Sequence, residues 1–423
     1  MRTRIQMTSL LMLAAGILAS STAAAQTVVS TGPGYANEVY YSLENGTVRT
    51  EPLASWDIGF QVVGYSSSII TNGGAGVMLY HVPGKTADDW AETLDTTGMD
   101  ESWDLWHNSP DTWDLGAFNM NSDYSTGNFG WGEYDMVTHI VSGTALYVIV
   151  LPDGAAKKIM IDGLSGGTYS FRYADLDGSN EVEASLAKSE FAGKNFGYYS
   201  IRDGKTVDHE PVAVDWDLVF GKYVAFLGPD MTVPYGVTGV RSNSGISAVR
   251  VKTGTPATAP VPNLEDFNSS ITTIGYDWKS FTGTEYKVSD SLVFFVRKDV
   301  DGSIYRIVFT GFGGSSTGDF MFNQEVIGAA SVNDERGGTV TAAVHPSVAG
   351  RGAMVDVVYS LDHAVSGARA VVHDLTGRVL SSVDLDGDAG LHRAALSAPE
   401  TAGLYFVVIE CGGRRVSQRL VVR

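Results

Sequence analysis

The chain has 423 residues, 44% of them hydrophobic and 18% charged, which is enough for two or three globular domains with cores of their own. Its formal charge of −19 argues against nucleic acid and anionic membrane as partners, because binding either needs a basic patch that displaces counterions. The single cysteine, Cys411, excludes an intrachain disulfide and a zinc site built on several thiolates.

Residues 1–25 read as a secretory signal peptide. Arg2 and Arg4 give a basic start, "MTSLLMLAAGILA" is a short apolar run, and Ala23 to Ala25 offer small residues for cleavage. Loss of Arg2 and Arg4 takes the charge from −19 to −21. No later run is long and apolar enough for a transmembrane segment. The expected destination is outside the cell or on its surface.

From Tyr40 the sequence reads "YYSLENGTVRTEPLASWDIGF", and from Tyr198 it reads "YYSIRDGKTVDHEPVAVDWDLVF". The tyrosines lie 158 positions apart and the Trp-Asp pairs, Trp56-Asp57 and Trp216-Asp217, lie 160 apart. The likeness continues through "TNGG" and "SNSG", then through "LYVIVLPDG" and "LVFFVRKDVDG". A unit this long is a domain duplication, with copy one over 37–190 and copy two over 196–330. In each copy, alternating β-branched and aromatic runs flank Asp-Gly turns, which predicts hairpins. "EVEASLAKSEFA", at the end of copy one, is the single helical candidate. The Trp-Asp pairs predict packing: an indole buried at a strand start, with a carboxylate beside it that accepts backbone N–H groups.

Residues 331–338 read as a linker. From Thr339 onward there are 8 Arg, 8 acidic residues and no Lys, so the tail, 339–423, is neutral where the rest is acidic. "MVDVVYSL", "ARAVVHDL", "RVLSSVDL", "LYFVVIE" and "RRVSQRLVVR" predict short strands of a small β-sandwich. The expected fold class is therefore all-β and mainly antiparallel, with two tandem β domains and a C-terminal immunoglobulin-like sandwich.

The tail resembles the C-terminal sorting domain of the type IX secretion system of Bacteroidetes, through "VHDLTGRVLSSVDL" and "TAGLYFVVIECGGRRVSQRLVVR". "VHPSVAG" stands where that family shows a Pro-Asn-Pro opening. The resemblance implies export across the outer membrane, with the type IX machinery as a partner. The duplicated unit resembles the HmuY-like, haemophore-like family through the motifs quoted above, together with "GWGEYDMVTHIV" and "YDWKSF". Those motifs mark the fold. What they imply is non-enzymatic ligand capture, with haem, or a haem-protein as its source, as the expected ligand.

Axial ligation of haem iron needs His, Met or Tyr. Between Gly73 and Phe129, copy one offers His81 and His107 as the expected axial pair, with Met78 and Met99 as substitutes. The matching window of copy two, Gly245 to Ile274, has no His and no Met. The competing reading makes the two histidines ordinary loop residues. His139 is expected on a framework strand.

The loop 88–135 holds 12 acidic residues, no Lys or Arg, and five tryptophans. That charge opposes the anionic propionates of haem and favours a second reading, a glycan- or protein-binding adhesion module contacting sugar rings through Trp103, Trp106 and Trp113. The plainer alternative has these tryptophans pinning a long loop to its domain. Asp-x-Asp-Gly at Asp175, Asp299 and Asp384 reads as turns, since the spacing of a calcium loop is incomplete. Gly314 to Gly318 matches Gly-x-Ser-x-Gly but is expected to be a plain loop. No Ser-His-Asp set or carboxylate pair stands out, so no enzyme is expected.

Overall fold

In the computed structural model, which describes residues 26–63, 67–228, 230–329, 340–345, 348–361, 364–374, 378–411 and 414–423, most regular elements are β-strands paired antiparallel. The signal segment and the linker lie outside the described residues. The chain divides into two compact units, Met1–Lys298 with Tyr305–Val326, and Asp299–Ile304 with Ile327–Arg423.

Among the described residues, the first unit has two large hydrophobic cores beside smaller clusters, and the two do not coincide with the two sequence copies. One core draws on residues from Ile58 to Ile201, and the other combines Val29–Leu43 with Leu218–Phe322. The reason lies in strand pairing. The hairpin Asn37–Ser42 and Gly46–Pro52 opens copy one, yet Asn37–Ser42 pairs with Leu218–Leu227 of copy two. Reciprocally, the hairpin Phe196–Ser200 and Lys205–Val207 opens copy two, yet Phe196–Ser200 pairs with Ile58–Gln61 of copy one. Each copy donates its opening hairpin to the other copy's sheet. The amino-terminal strand Thr27–Ser30 follows the same rule and pairs with Asp319–Ala329.

Around the first core, a sheet built on Met78–Thr86, Ala145–Val150, Ala156–Ser165, Thr168–Asp175 and Val182–Ala187 packs one face against that core. Around the second, Ile246–Lys252, Leu292–Lys298, Ser303–Phe312 and Asp319–Ala329 do the same. The helical candidate is corrected. Val182–Ala187 is an edge strand in register with Thr168–Tyr173, followed by one 3-10 turn, Lys188–Phe191, an arrangement that buries Leu186 and Phe191 in the first core. Gly314–Thr317 forms a single helical turn between two strands and not a loop; Ser316 spends its hydroxyl on the Gly313 carbonyl.

The second unit is a two-sheet sandwich. Val340–His345, Met354–Leu361 and Gly390–Ser397 form one sheet, and Val348–Ala349, Arg414–Val422, Gly403–Cys411, Arg369–His373 and Val379–Asp384 form the other. Val348–Ala349 pairs parallel with Val421–Val422. The tail motif residues Asp374 and Arg378 close their hairpin with an ion pair at 3.0 Å.

Candidate functional site

The exchanged hairpins meet at two equivalent latches. Asp57, fully buried, accepts the Ile201 N–H at 2.8 Å and pairs with Arg202 at 2.9 Å. Asp217 accepts the Leu43 N–H at 2.7 Å and pairs with Lys298 at 3.3 Å. Asn72 donates to the Leu53 and Trp56 carbonyls at 2.7 and 2.9 Å, and Asn243 donates to the Ala213 and Trp216 carbonyls, both at 2.7 Å. Tyr198 packs edge-on against Trp56 at 4.8 Å, and Tyr40 against Trp216 at 5.0 Å. The Trp-Asp pairs thus do structural work at a pseudo-twofold junction. Gly74 lets the "NGG" turn reach this junction, since a Cβ there would lie 2.2 Å from the Lys222 carbonyl oxygen.

A cavity sits at the junction. Its walls include Tyr40, Trp56, His107, Trp113, Trp216 and Tyr223. Its volume of about 50 Å³ has room for roughly three or four water-sized groups.

The polar lining is asymmetric where the latches are not. Glu38 occupies the position that Phe196 takes in copy two, Arg241 the position of Ile70, and His209 the position of Thr50. Glu38 is buried and accepts from His209 Nε2 at 2.8 Å, Arg241 at 2.8 Å and Trp56 Nε1 at 3.4 Å. Burial pushes its carboxyl up, but the bond and charge of His209 and the charge of Arg241 prevail and hold it below the usual range. Arg241 lies over the rings of Trp113 and Tyr223, at 4.8 and 5.3 Å, so the protein's own cation fills that aromatic cage. Glu210, buried, accepts the Phe196 N–H at 2.9 Å and faces the Tyr198 hydroxyl at 3.0 Å; burial pushes its pKa up to about 7.

Three buried polar atoms on residues lining the cavity have no hydrogen-bond partner among the described residues: Trp216 Nε1, Tyr223 Oη and His107 Nε2. Trp216 lacks one for a clear reason. Its counterpart Trp56 donates to Glu38, and Phe196 stands where the second glutamate would be. Burial also lowers the pKa of His107, which favours the neutral imidazole.

Ser55 Oγ lies 2.9 Å from His209 Nδ1, so Ser55, His209 and Glu38 form a hydroxyl–imidazole–carboxylate chain. His209 is fully buried under Tyr40, Trp56 and Tyr198, and Ser55 is not among the cavity-lining residues.

The expected ligand residues scatter. His81 stacks on Trp106 at 4.7 Å with ring planes 5° apart, facing the first core, and does not line the cavity. Met78 sits on the opposite face of the same strand, where it packs with Met99 and Trp103 in a small satellite cluster. His107 points the other way from Trp106 along the chain and meets Phe226 of copy two edge-on at 5.6 Å. His81 and His107 are therefore not brought to one pocket. The described residues hold no group of three or more His, Cys, Asp or Glu that could bind a metal ion. His139 lies in a turn, at φ +59°, and not on a strand.

The tryptophans of loop 88–135 anchor it. Trp106 and Trp131 are buried, Trp90 lies under Lys158 at 4.8 Å, and Trp113 donates to the Ser242 carbonyl of copy two at 2.9 Å. Pro110 and Asp111 extend that docking by accepting from Thr272 and Ile271. Of the three tryptophans expected to meet sugars, Trp113 alone lines the cavity.

No family model and no curated protein matches the chain. Two solved structures illustrate its structural neighbours. A polysaccharide lyase shows 10% identity and a TM-score of 0.18 over 88% of this chain and 40% of its own. The dimeric latent PorU from Porphyromonas gingivalis shows 10% identity and a TM-score of 0.18 over 94% of this chain and 34% of its own. The chain spans less than half the length of either. Among the described residues, no helix is long and apolar enough to cross a membrane.

Proposed function

We propose that this is a secreted or cell-surface binding protein without catalytic activity, whose ligand site is the cavity at the junction of the two repeats. The signal-like leader and the sorting-like tail support export, with the type IX machinery as the partner of the tail. The observation that carries the binding reading is the set of three unpartnered buried polar atoms on residues that line one cavity, because such groups cost about 1–3 kcal/mol each when left unsatisfied. The serine–histidine–glutamate chain does not support catalysis, since its base is sealed from any substrate. Haem does not fit this site: the cavity is far smaller than ordinary cofactor pockets, and His81 lies outside it.

Ligand-observed NMR on the chain from Gln26 onward tests the reading, with a panel of small polar compounds, simple sugars and haemin. Saturable binding of a small polar compound that is lost in Tyr223→Phe supports it. A panel with no binder overturns it, and a haemin complex whose absorbance band depends on His81 would restore the haem expectation.

A further inference from the structure

We infer that the junction cavity recognises a neutral acylamido group, such as the acetamido group of an amino sugar or of an N-acetylated peptide. This rests on the cavity being the ligand site. Four features of the walls select that chemistry. Trp216 Nε1 can only donate, so the ligand must present an acceptor, as an amide carbonyl does. His107 Nε2 and Tyr223 Oη can each accept, so an N–H on the ligand is also satisfied. The aromatic walls, Trp56, Trp113 and Tyr40 among them, suit a methyl group. Two carboxylates, Glu38 and Glu210, also line the cavity and oppose an anion there, while Arg241 is already engaged by Glu38 and stacked between two rings.

Size agrees. An acetamido group has four heavy atoms, matching the roughly three or four water-sized groups the cavity can hold. A whole sugar ring does not fit, so the rest of the ligand would remain outside, beyond the half-buried lining residues Ser109, Pro110 and Thr272.

The test follows the indole ¹H–¹⁵N resonance of Trp216 in the chain from Gln26 onward during titration with acetamide, N-acetylglucosamine, N-acetylalanine amide, glucosamine and acetate. Saturable shifts with the N-acetylated compounds, and none with glucosamine, are expected. Tyr223→Phe and Trp216→Phe should each weaken that binding about ten-fold, the loss of one hydrogen bond to a buried group. The Trp216→Phe titration is read on the indole resonance of Trp113. N-acetylglucosamine binding without N-acetylalanine amide assigns a glycan source, and the reverse assigns an acylated peptide. Binding of acetate but not acetamide overturns the acylamido inference while leaving the cavity a ligand site. No shift with any probe overturns both.

Discussion

The Trp56 and Trp216 latches share a backbone and differ in what surrounds it. Both have a buried aspartate accepting an N–H from the exchanged hairpin, an asparagine clamping two carbonyls, and a tyrosine edge-on to the indole. Around the first, Glu38 takes the indole N–H; around the second, Phe196 leaves it unpartnered. What the copies share holds the exchanged hairpins in place, and where they diverge a polar cavity opens.

The shared part breaks hardest. Asp57→Ala and Asp217→Ala should each cost about 3 kcal/mol, since each removes the acceptor of a buried backbone N–H and one charge partner of a neighbouring cation. Urea denaturation should show similar losses for the two, and a loss in one alone would show that the latches are not equivalent. The cavity carries a pH signature through Glu210, whose counterpart Glu51 does not line it. A glutamate whose folded pKa is raised from 4.5 to about 7 stabilises the fold fully below pH 4.5 and loses that contribution as pH rises through 7. For Glu210 this is on the order of 3 kcal/mol. Glu210→Gln, which mimics the protonated form, should flatten stability across that window. Asn72→Ala and Asn243→Ala should each cost about 2 kcal/mol, again in parallel, because two carbonyls lose their donor. The smallest effect separates the indoles. Trp56→Phe should cost about 1 kcal/mol more than Trp216→Phe, because only the first removes a made hydrogen bond.

The duplication and the all-β class were legible in the sequence because strand alternation and Asp-Gly turns are local signals. The hairpin exchange was not, because "YYS" paired within its own copy and "YYS" paired with the other copy satisfy the same pattern, and only the three-dimensional path of the connection chooses between them. The same holds for "EVEASLAKSEFA", whose fate depended on a free sheet edge. Of the expected site residues, His107 and Trp113 reach the cavity. Met78 was separable in advance, since residues three apart on a strand face opposite ways, so Met78 and His81 could not share an iron. Glu38, His209 and Arg241 escaped notice because none belongs to a motif. Their signal lay in the mismatches between copies, against Phe196, Thr50 and Ile70, and a position-by-position comparison of the repeats would have found it.

The most direct test of a ligand site at the junction is a high-resolution crystal structure of the chain from Gln26 onward, grown with N-acetylglucosamine. Density for the acetamido group within hydrogen-bond distance of Trp216 Nε1 and Tyr223 Oη is the expected result. A cavity closed by repacked side chains, or filled by water alone at saturating sugar with no change at Trp216, would contradict it.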